Sequence, residues 1–453
     1  MFSLAVRFAP MPDEGLVGYL SRLEGANALG SGELIRRFRS MPEVELSSVY
    51  AGKKHSSAWA YEVDEIRRPS TRPTRVWIHR IWKYCPLCLR RSAYWRNHWS
   101  LTLVACCPSH NTRLIDHCST CEKRITRQAL LDFRCAECGQ PLADGIAVTT
   151  QSRGALWLAV ELATRLNATQ RDCTEEVQAL GLIELHELAL RLGVRANPTQ
   201  HVKPLKVRDA GLVETTLPIA REAGEILMTW PAGMKQLVGR LCGQAPQESR
   251  WRMQKAVGPL YRDVYRHLKG TSFNFVRMAF EAYVREEWRA PLARRNRNLP
   301  HSLVQLHCWL SVRQAASRLD LPPSLLFRLV DSGELRALEV KHKSGRVSRS
   351  VDLNEIAVAQ NTLRSALSLQ QASATLGLGL ERVRQLLNVG LLQTLAGRPK
   401  PGERWWIDRH RLPVPPKGKR RRQKQPQCGV HRDLQQRGAY AGQRDIGVER
   451  ERC

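Results

Sequence analysis

The chain has 453 residues, a hydrophobic fraction of 43% and a formal net charge of +29. The length allows about two to four domains, and the apolar fraction suffices for buried cores. The charge excess calls for a polyanion to offset its self-repulsion, and nucleic acid is the expected one. No apolar run approaches the ~18–20 residues of a membrane span, so no membrane partner is expected.

Met1–Gly15 reaches Pro10, Pro12 and its acids too early for a signal or transit peptide, so a cytoplasmic location is expected. Residues 1–76 read as an N-terminal helical module, in which Asp13 can cap a helix carrying Leu16, Leu20 and Leu23 at helical spacing. Residues 77–150 form a cysteine-rich block. Residues 151–300 read as a helical domain. There Leu156, Val160, Ala163 and Leu166 mark one helix, and a second runs from about Thr216 to the breaker Trp230-Pro231-Ala232-Gly233. Two helix-turn-helix-like units follow, over 301–360 and 361–412, and then a basic tail over 413–453 that buries too little to order. The expected fold is mainly α, with small zinc-ribbon modules and tandem winged helix-turn-helix-like units.

In a reducing compartment, clustered cysteines are metal ligands rather than disulfides. Four pairs occur in order, each with two residues between its donors: Cys85 and Cys88, Cys107 and His110, Cys118 and Cys121, Cys135 and Cys138. That spacing lets one tight turn aim two side chains at one ion, and two such knuckles complete the tetrahedron of structural zinc. Sequential pairing is favoured, giving one ion to Cys85, Cys88, Cys107 and His110 and a second to Cys118, Cys121, Cys135 and Cys138. Cross-bracing of the first knuckle with the third is the alternative. All eight donors are used, so neither zinc keeps a catalytic position open. An iron–sulfur cluster suits the first set poorly because of its histidine. Cys106 is a core residue or a spare thiol. Trp77, Trp82, Tyr84, Tyr94, Trp95 and Trp99 alternate with Arg75, Arg80, Lys83, Arg90, Arg91 and Arg96. The tryptophans are expected to pack the zinc module; for the bases, a solvated face and a nucleic-acid contact stand equal.

The C-terminal units repeat at an offset of 57 residues, which carries Ser311 to Ser368, Gln314 to Gln371, Ala315 to Ala372, Leu329 to Leu386 and Gly333 to Gly390. Each opens on a Ser-x-x-Gln capping box, continues through two short helices, and ends them at a glycine suited to a left-handed cap. A basic, turn-rich wing follows. Arg328, Arg382, Arg384 and Gln385 are the candidate groove-facing side chains. Lys341, Lys343, Arg346 and Arg349, with Arg398, Lys400 and Arg404, are the candidate phosphate grips. Protein docking is the competing use of such units, and the basic wings favour DNA.

Part of this pattern resembles a known family. It is carried by Pro12-Asp13-Glu14, by Tyr19-Leu20-Ser21-Arg22-Leu23 with Asn27, and by Cys85-Pro86-Leu87-Cys88-Leu89 with Tyr94-Trp95. It continues through Cys107-Pro108-Ser109-His110 with Leu114, then Cys118 and Cys121, Cys135 to Gly139 with Leu142, and Trp230-Pro231. Over roughly residues 10–240 the chain resembles the TniQ family of transposition proteins, although Ser119 stands where the family usually has proline. The resemblance implies an accessory role in target-site selection, linking target DNA or a DNA-bound guide complex to an AAA+ ATPase and a transposase of the same element. Self-pairing into a homodimer is a further possibility. The chain has no GxxxxGK[ST] loop and no HExxH, so no enzymatic activity is expected. A zinc-containing helix-turn-helix transcription regulator is the alternative reading.

Overall fold

The computed structural model describes residues 4–40, 57–67, 75–167, 175–197, 203–292, 298–399 and 402–413. Two compact units divide at Arg364 and Ser365. Lys400 and the basic tail after 413 lie outside the described residues.

The first unit opens with α1 (Leu16–Ala26), α2 (Glu33–Ser40) and α3 (Ser57–Arg67). Leu16, Leu20 and Leu23 of α1 are fully buried, as their spacing predicts. Asp13 does not cap α1; its carboxylate accepts from the Tyr94 hydroxyl. The cap comes from a distance instead. The buried Glu62 carboxyl of α3 accepts the Leu16 N–H, so a side-chain oxygen replaces the missing acceptor of the first turn. Glu24 does the same for α2, accepting from Gly32 N and Leu34 N at 2.8 Å each.

Burial pushes the Glu62 carboxyl up to about 8, against a smaller lowering by the Leu16 N–H. Between the ordinary carboxylate range and that value the folded chain holds a proton the unfolded chain releases. Stability therefore falls as pH rises through this window, by on the order of a few kcal/mol in all. Glu62→Gln keeps an acceptor for Leu16 without the charge. Its melting temperature is expected to exceed the parent's at pH 8.5 and to draw level at pH 5.5; a gap that stays constant between the two would count against this account.

The cysteine-rich block carries α4 (Pro86–Arg91), and after it come α5 (Arg153–Leu166), α6 (Leu182–Ala196) and α7 (Val213–Met228). Ser152 caps α5 by accepting from Ala155 N at 3.2 Å. The helix expected from Leu156, Val160, Ala163 and Leu166 is present, but its core face is rotated. Ala155, Leu158, Ala159 and Leu162 are fully buried, while Leu156, Val160 and Ala163 are half-buried. Two apolar stripes run along this segment, and periodicity alone does not choose between them. Helix α6 is buried on nearly every side, and its buried Arg191 is paired with Glu187 and Asp263. Helix α7 packs against both α5 and α6. The approach to α5 is backbone on backbone: a Cβ at Gly224 would lie 1.9 Å from Gly154 O. Any side chain there forces the axes apart. Asp116 caps α7 from the cysteine-rich block, accepting from Val213 N at 2.7 Å.

Helices α8 (Ala232–Gln244) and α9 (Asn274–Glu286) pack together and complete the helical body. One hydrophobic core runs from Leu4 to Leu303, so the N-terminal helices, the cysteine block and the helical body share an interior. The first repeated unit lies in this same compact body. It consists of β1 (Trp309–Ser311), α10 (Val312–Leu319), α11 (Pro323–Asp331), β2 (Ala337–Lys341), β3 (Val347–Asp352) and α12 (Leu353–Arg364). Its sheet has the antiparallel order β1-β3-β2, with Val351 between Leu310 and Ala337.

The second compact unit carries α13 (Leu369–Leu376) and α14 (Leu380–Asn388) over a small core of Ala372, Val383, Leu387, Leu392 and Ile407. The repeat survives in its backbone. Both capping boxes form, at Ser311 with Gln314 and at Ser368 with Gln371. Asp320 and Gly377 both end their helix in the left-handed region, and Gly333 and Gly390 both take a positive φ, 78° and 79°. Ile407 bridges to Leu367 and Thr394 as Val351 pairs with Leu310 and Ala337.

Candidate metal centres

Three of the four knuckles are built by one local device. Cys107 N donates to Thr112 O, Cys118 N to Lys123 O and Cys135 N to Gln140 O, at 2.7, 2.8 and 2.9 Å. Each bond closes a tight loop around the donor pair. The residue four after each first cysteine takes a positive φ: Asn111 at 52°, Glu122 at 57° and Gly139 at 73°. Glycine adopts that conformation freely and asparagine tolerates it, so Glu122 bears most of the strain. The remaining knuckle departs from the device. Cys85 is the N-cap of α4, with Pro86 in its first turn, and Leu89 N donates to Cys85 O at 3.2 Å. Proline there presets the helical φ and loses no hydrogen bond.

The donors meet in sequential order. Cys85, Cys88, Cys107 and His110 form one group, and Cys118, Cys121, Cys135 and Cys138 form another, with the donor atoms of each within 4.8 Å of one another. In the first group His110 Nδ1 lies 3.6, 3.2 and 3.5 Å from the sulfurs of Cys85, Cys88 and Cys107. In the second, Cys118 and Cys138 are 3.6 Å apart, as are Cys121 and Cys135. A tetrahedral zinc with four thiolates has sulfur–sulfur edges of ~3.8 Å, shorter where nitrogen replaces sulfur. Both groups fit that size, and the donor sets suit zinc. Hydrogen bonds from Cys107 and Cys88 hold the Cys85 thiol far below its ordinary range, and those with Cys107 and Cys85 push Cys88 far above it. Four thiol or imidazole groups packed this closely share protons that a cation would displace.

The two centres differ in setting. Cys85 and Cys107 are fully buried and Cys88 nearly so, among Trp95, Trp99 and Tyr84. Trp95 meets Trp99 edge to face, with centroids 5.2 Å apart. Lys83 is also buried here, and its ammonium donates to Leu101 O and Val104 O at 2.7 Å each. Arg96 is buried with its guanidinium 3.9 Å from the Tyr94 ring centroid. The tryptophans pack the module, and Lys83 and Arg96 serve its interior. Arg75, Arg80, Arg90 and Arg91 remain exposed. Cys106 is fully buried, outside both groups, and burial pushes its thiol up. The second centre sits nearer solvent, with Cys138 exposed.

The TniQ family model matches residues 5–114. Residues 5–114 form a TniQ domain. The matched span takes in the N-terminal helices and the complete first centre, and it ends at Leu114. The second centre, the helical body with its Trp230–Pro231 element and both repeated units lie beyond the TniQ match. No curated protein matches the chain significantly.

The candidate DNA-contacting residues of this chain separate into groups. Arg328, expected to face a groove, is 9% exposed and has interaction partners within the fold. Arg349 is pinned between Asp331 and Glu339, both at 2.7 Å. Lys341, Lys343 and Arg346 are exposed on the hairpin, with Lys343 3.3 Å from Glu248. In the second unit Arg382, Arg384, Gln385, Arg398 and Arg404 are all exposed. Arg384 leans on Glu381 at 3.1 Å, an ion pair worth little at a solvated surface. Arg328 and Gln385 occupy the same repeat position, one buried and one in solvent, and nothing in their spacing tells them apart.

Proposed function

We propose that this TniQ-domain protein is a non-enzymatic accessory factor of DNA transposition that acts in target-site selection. The observation that carries the reading is the coincidence of the family match with the complete first Cys/His centre. Two structural zinc ions staple the N-terminal third into a rigid surface, which engages an AAA+ ATPase and, through it, the transposase of the same element. Target DNA, or a guide complex already on DNA, is held by the cationic C-terminal part. The exposed Arg382, Arg384 and Gln385 on α14 support major-groove contact there. The net charge of +29 supports a large phosphate contribution.

The test uses immobilised duplex DNA, the full chain, and an AAA+ ATPase of the same element. Retention of the ATPase is expected to need the bound chain. An ATPase retained equally by bare DNA would refute the linking role.

A further inference from the structure

The first repeated unit faces the helical body across a cleft. The first turn of α10, Phe327 of α11 and the β2–β3 hairpin form one wall of a cleft of about 1010 Å³. Residues 251–255, with Pro291 and Leu292, form the other. The walls are tied together. Ser350 Oγ donates to Arg289 O at 2.8 Å, the His307 ring meets Ala290 O at 3.0 Å, and Lys343 pairs with Glu248 at 3.3 Å.

Five cationic side chains line the cleft, namely Arg252, Lys255, Arg313, Arg346 and Arg349, and no carboxylate does among the described residues. Arg349 is occupied by Asp331 and Glu339. Among the described residues the other four have no acidic partner, and all four are exposed. Trp251 and Phe327 add half-buried aromatic rings to the lining. Unneutralised cations beside aromatic faces are the two components that bind unpaired strands, through phosphates and through stacked bases. A duplex would have to part the tied walls to enter. An acidic peptide would answer the cations and leave the rings unused.

We propose that this cleft is a second nucleic-acid site that takes a single unpaired strand. Its phosphates lie along Arg252, Lys255, Arg313 and Arg346, and its bases stack on Trp251 and Phe327. The inference deepens the DNA-binding reading above and rests on it. A target-selection protein so equipped responds to locally opened DNA as well as to a duplex sequence.

The experiment compares the full chain with an R252Q/K255Q/R313Q variant, whose changes lie at exposed positions, using labelled oligo(dT) and a duplex of equal length. Oligo(dT) affinity is expected to fall ~10-fold or more, with the salt slope reduced by roughly 2 at ~0.7 for each phosphate no longer neutralised. Duplex affinity is expected to hold. Equal losses on both probes, or none on oligo(dT), would overturn the site. Polyglutamate that displaces oligo(dT) at equal concentration from the parent would overturn it too, since the rings would then contribute nothing. A parent chain that binds duplex but not oligo(dT) sinks the cleft alone. One that binds neither sinks the DNA-binding reading with it.

Discussion

Cys88→Ser is expected to abolish the native fold of the N-terminal half, whereas Cys138→Ser weakens it. A structural zinc set contributes ~10–16 kcal/mol of apparent binding free energy, and whole domains are stable by only ~5–15 kcal/mol. Loss of one centre therefore exceeds what the surrounding packing can absorb where that packing depends on it. It does so at the first centre. Cys85, Cys88 and Cys107 lie inside the core that also holds Trp77, Trp82, Trp95 and Trp99. Asp116, just past that centre, caps α7 of the helical body. Without a bound cation the Cys85 and Cys107 thiols stay buried beside His110 and Thr112, and the chain that positions the tryptophans is freed. At the second centre Cys138 is exposed, so a serine there is solvated rather than trapped. Metal analysis of the parent should give two zinc ions per chain, one for each donor group. Cys88→Ser should lose near-ultraviolet dichroism from the buried tryptophans. If it keeps that signal and melts within ~3 °C of the parent, a change of about 1 kcal/mol, the first centre does not hold the fold together.

The parts of this structure that were legible in the sequence are those fixed by short spacing. Two residues between donors imply the knuckles, and the order of the knuckles favours sequential pairing, while only the sulfur positions exclude cross-bracing. The 57-residue repeat was legible for the same reason, since capping boxes and left-handed glycines are local requirements. What could not be read was decided by partners far along the chain. Asp13 has the residue type of a cap, yet Glu62 performs that task from 46 residues away. Asp116 does likewise for α7 from 97 residues away, and Glu24 caps α2 from the preceding helix. At α1 and α7 the helix start meets a carboxylate that only the tertiary fold delivers. Burial of Arg328 belongs to the same class: its exposed counterpart Gln385 stands in an equivalent local pattern. A cationic side chain on an amphipathic helix reads as solvent-facing whether or not another part of the fold covers it.

That difference between the repeats sets the expected result for DNA binding. Replacing Arg382 and Gln385 together by alanine should relax sequence preference on duplex DNA, at ~1–3 kcal/mol for each bidentate base contact removed. Replacing Arg398 and Arg404 should instead weaken all sequences alike and lower the salt slope by ~0.9 for each phosphate left unneutralised. Arg328→Ala should act on stability and leave the affinity of the folded chain unchanged, because the side chain is already committed inside the first unit. The contrast follows from exposure. Arg382 and Gln385 stand in solvent on α14, whereas Arg349, one of two wing arginines of the first unit, is held by two carboxylates. A guanidinium must leave such partners before it can meet a phosphate, and that exchange cancels much of the gain. Binding isotherms at several salt concentrations, on a preferred and a scrambled duplex, separate the three outcomes. A loss of preference in Arg328→Ala equal to that in the α14 variant would place base reading in the first unit as well, and the division of labour between the repeats would fall.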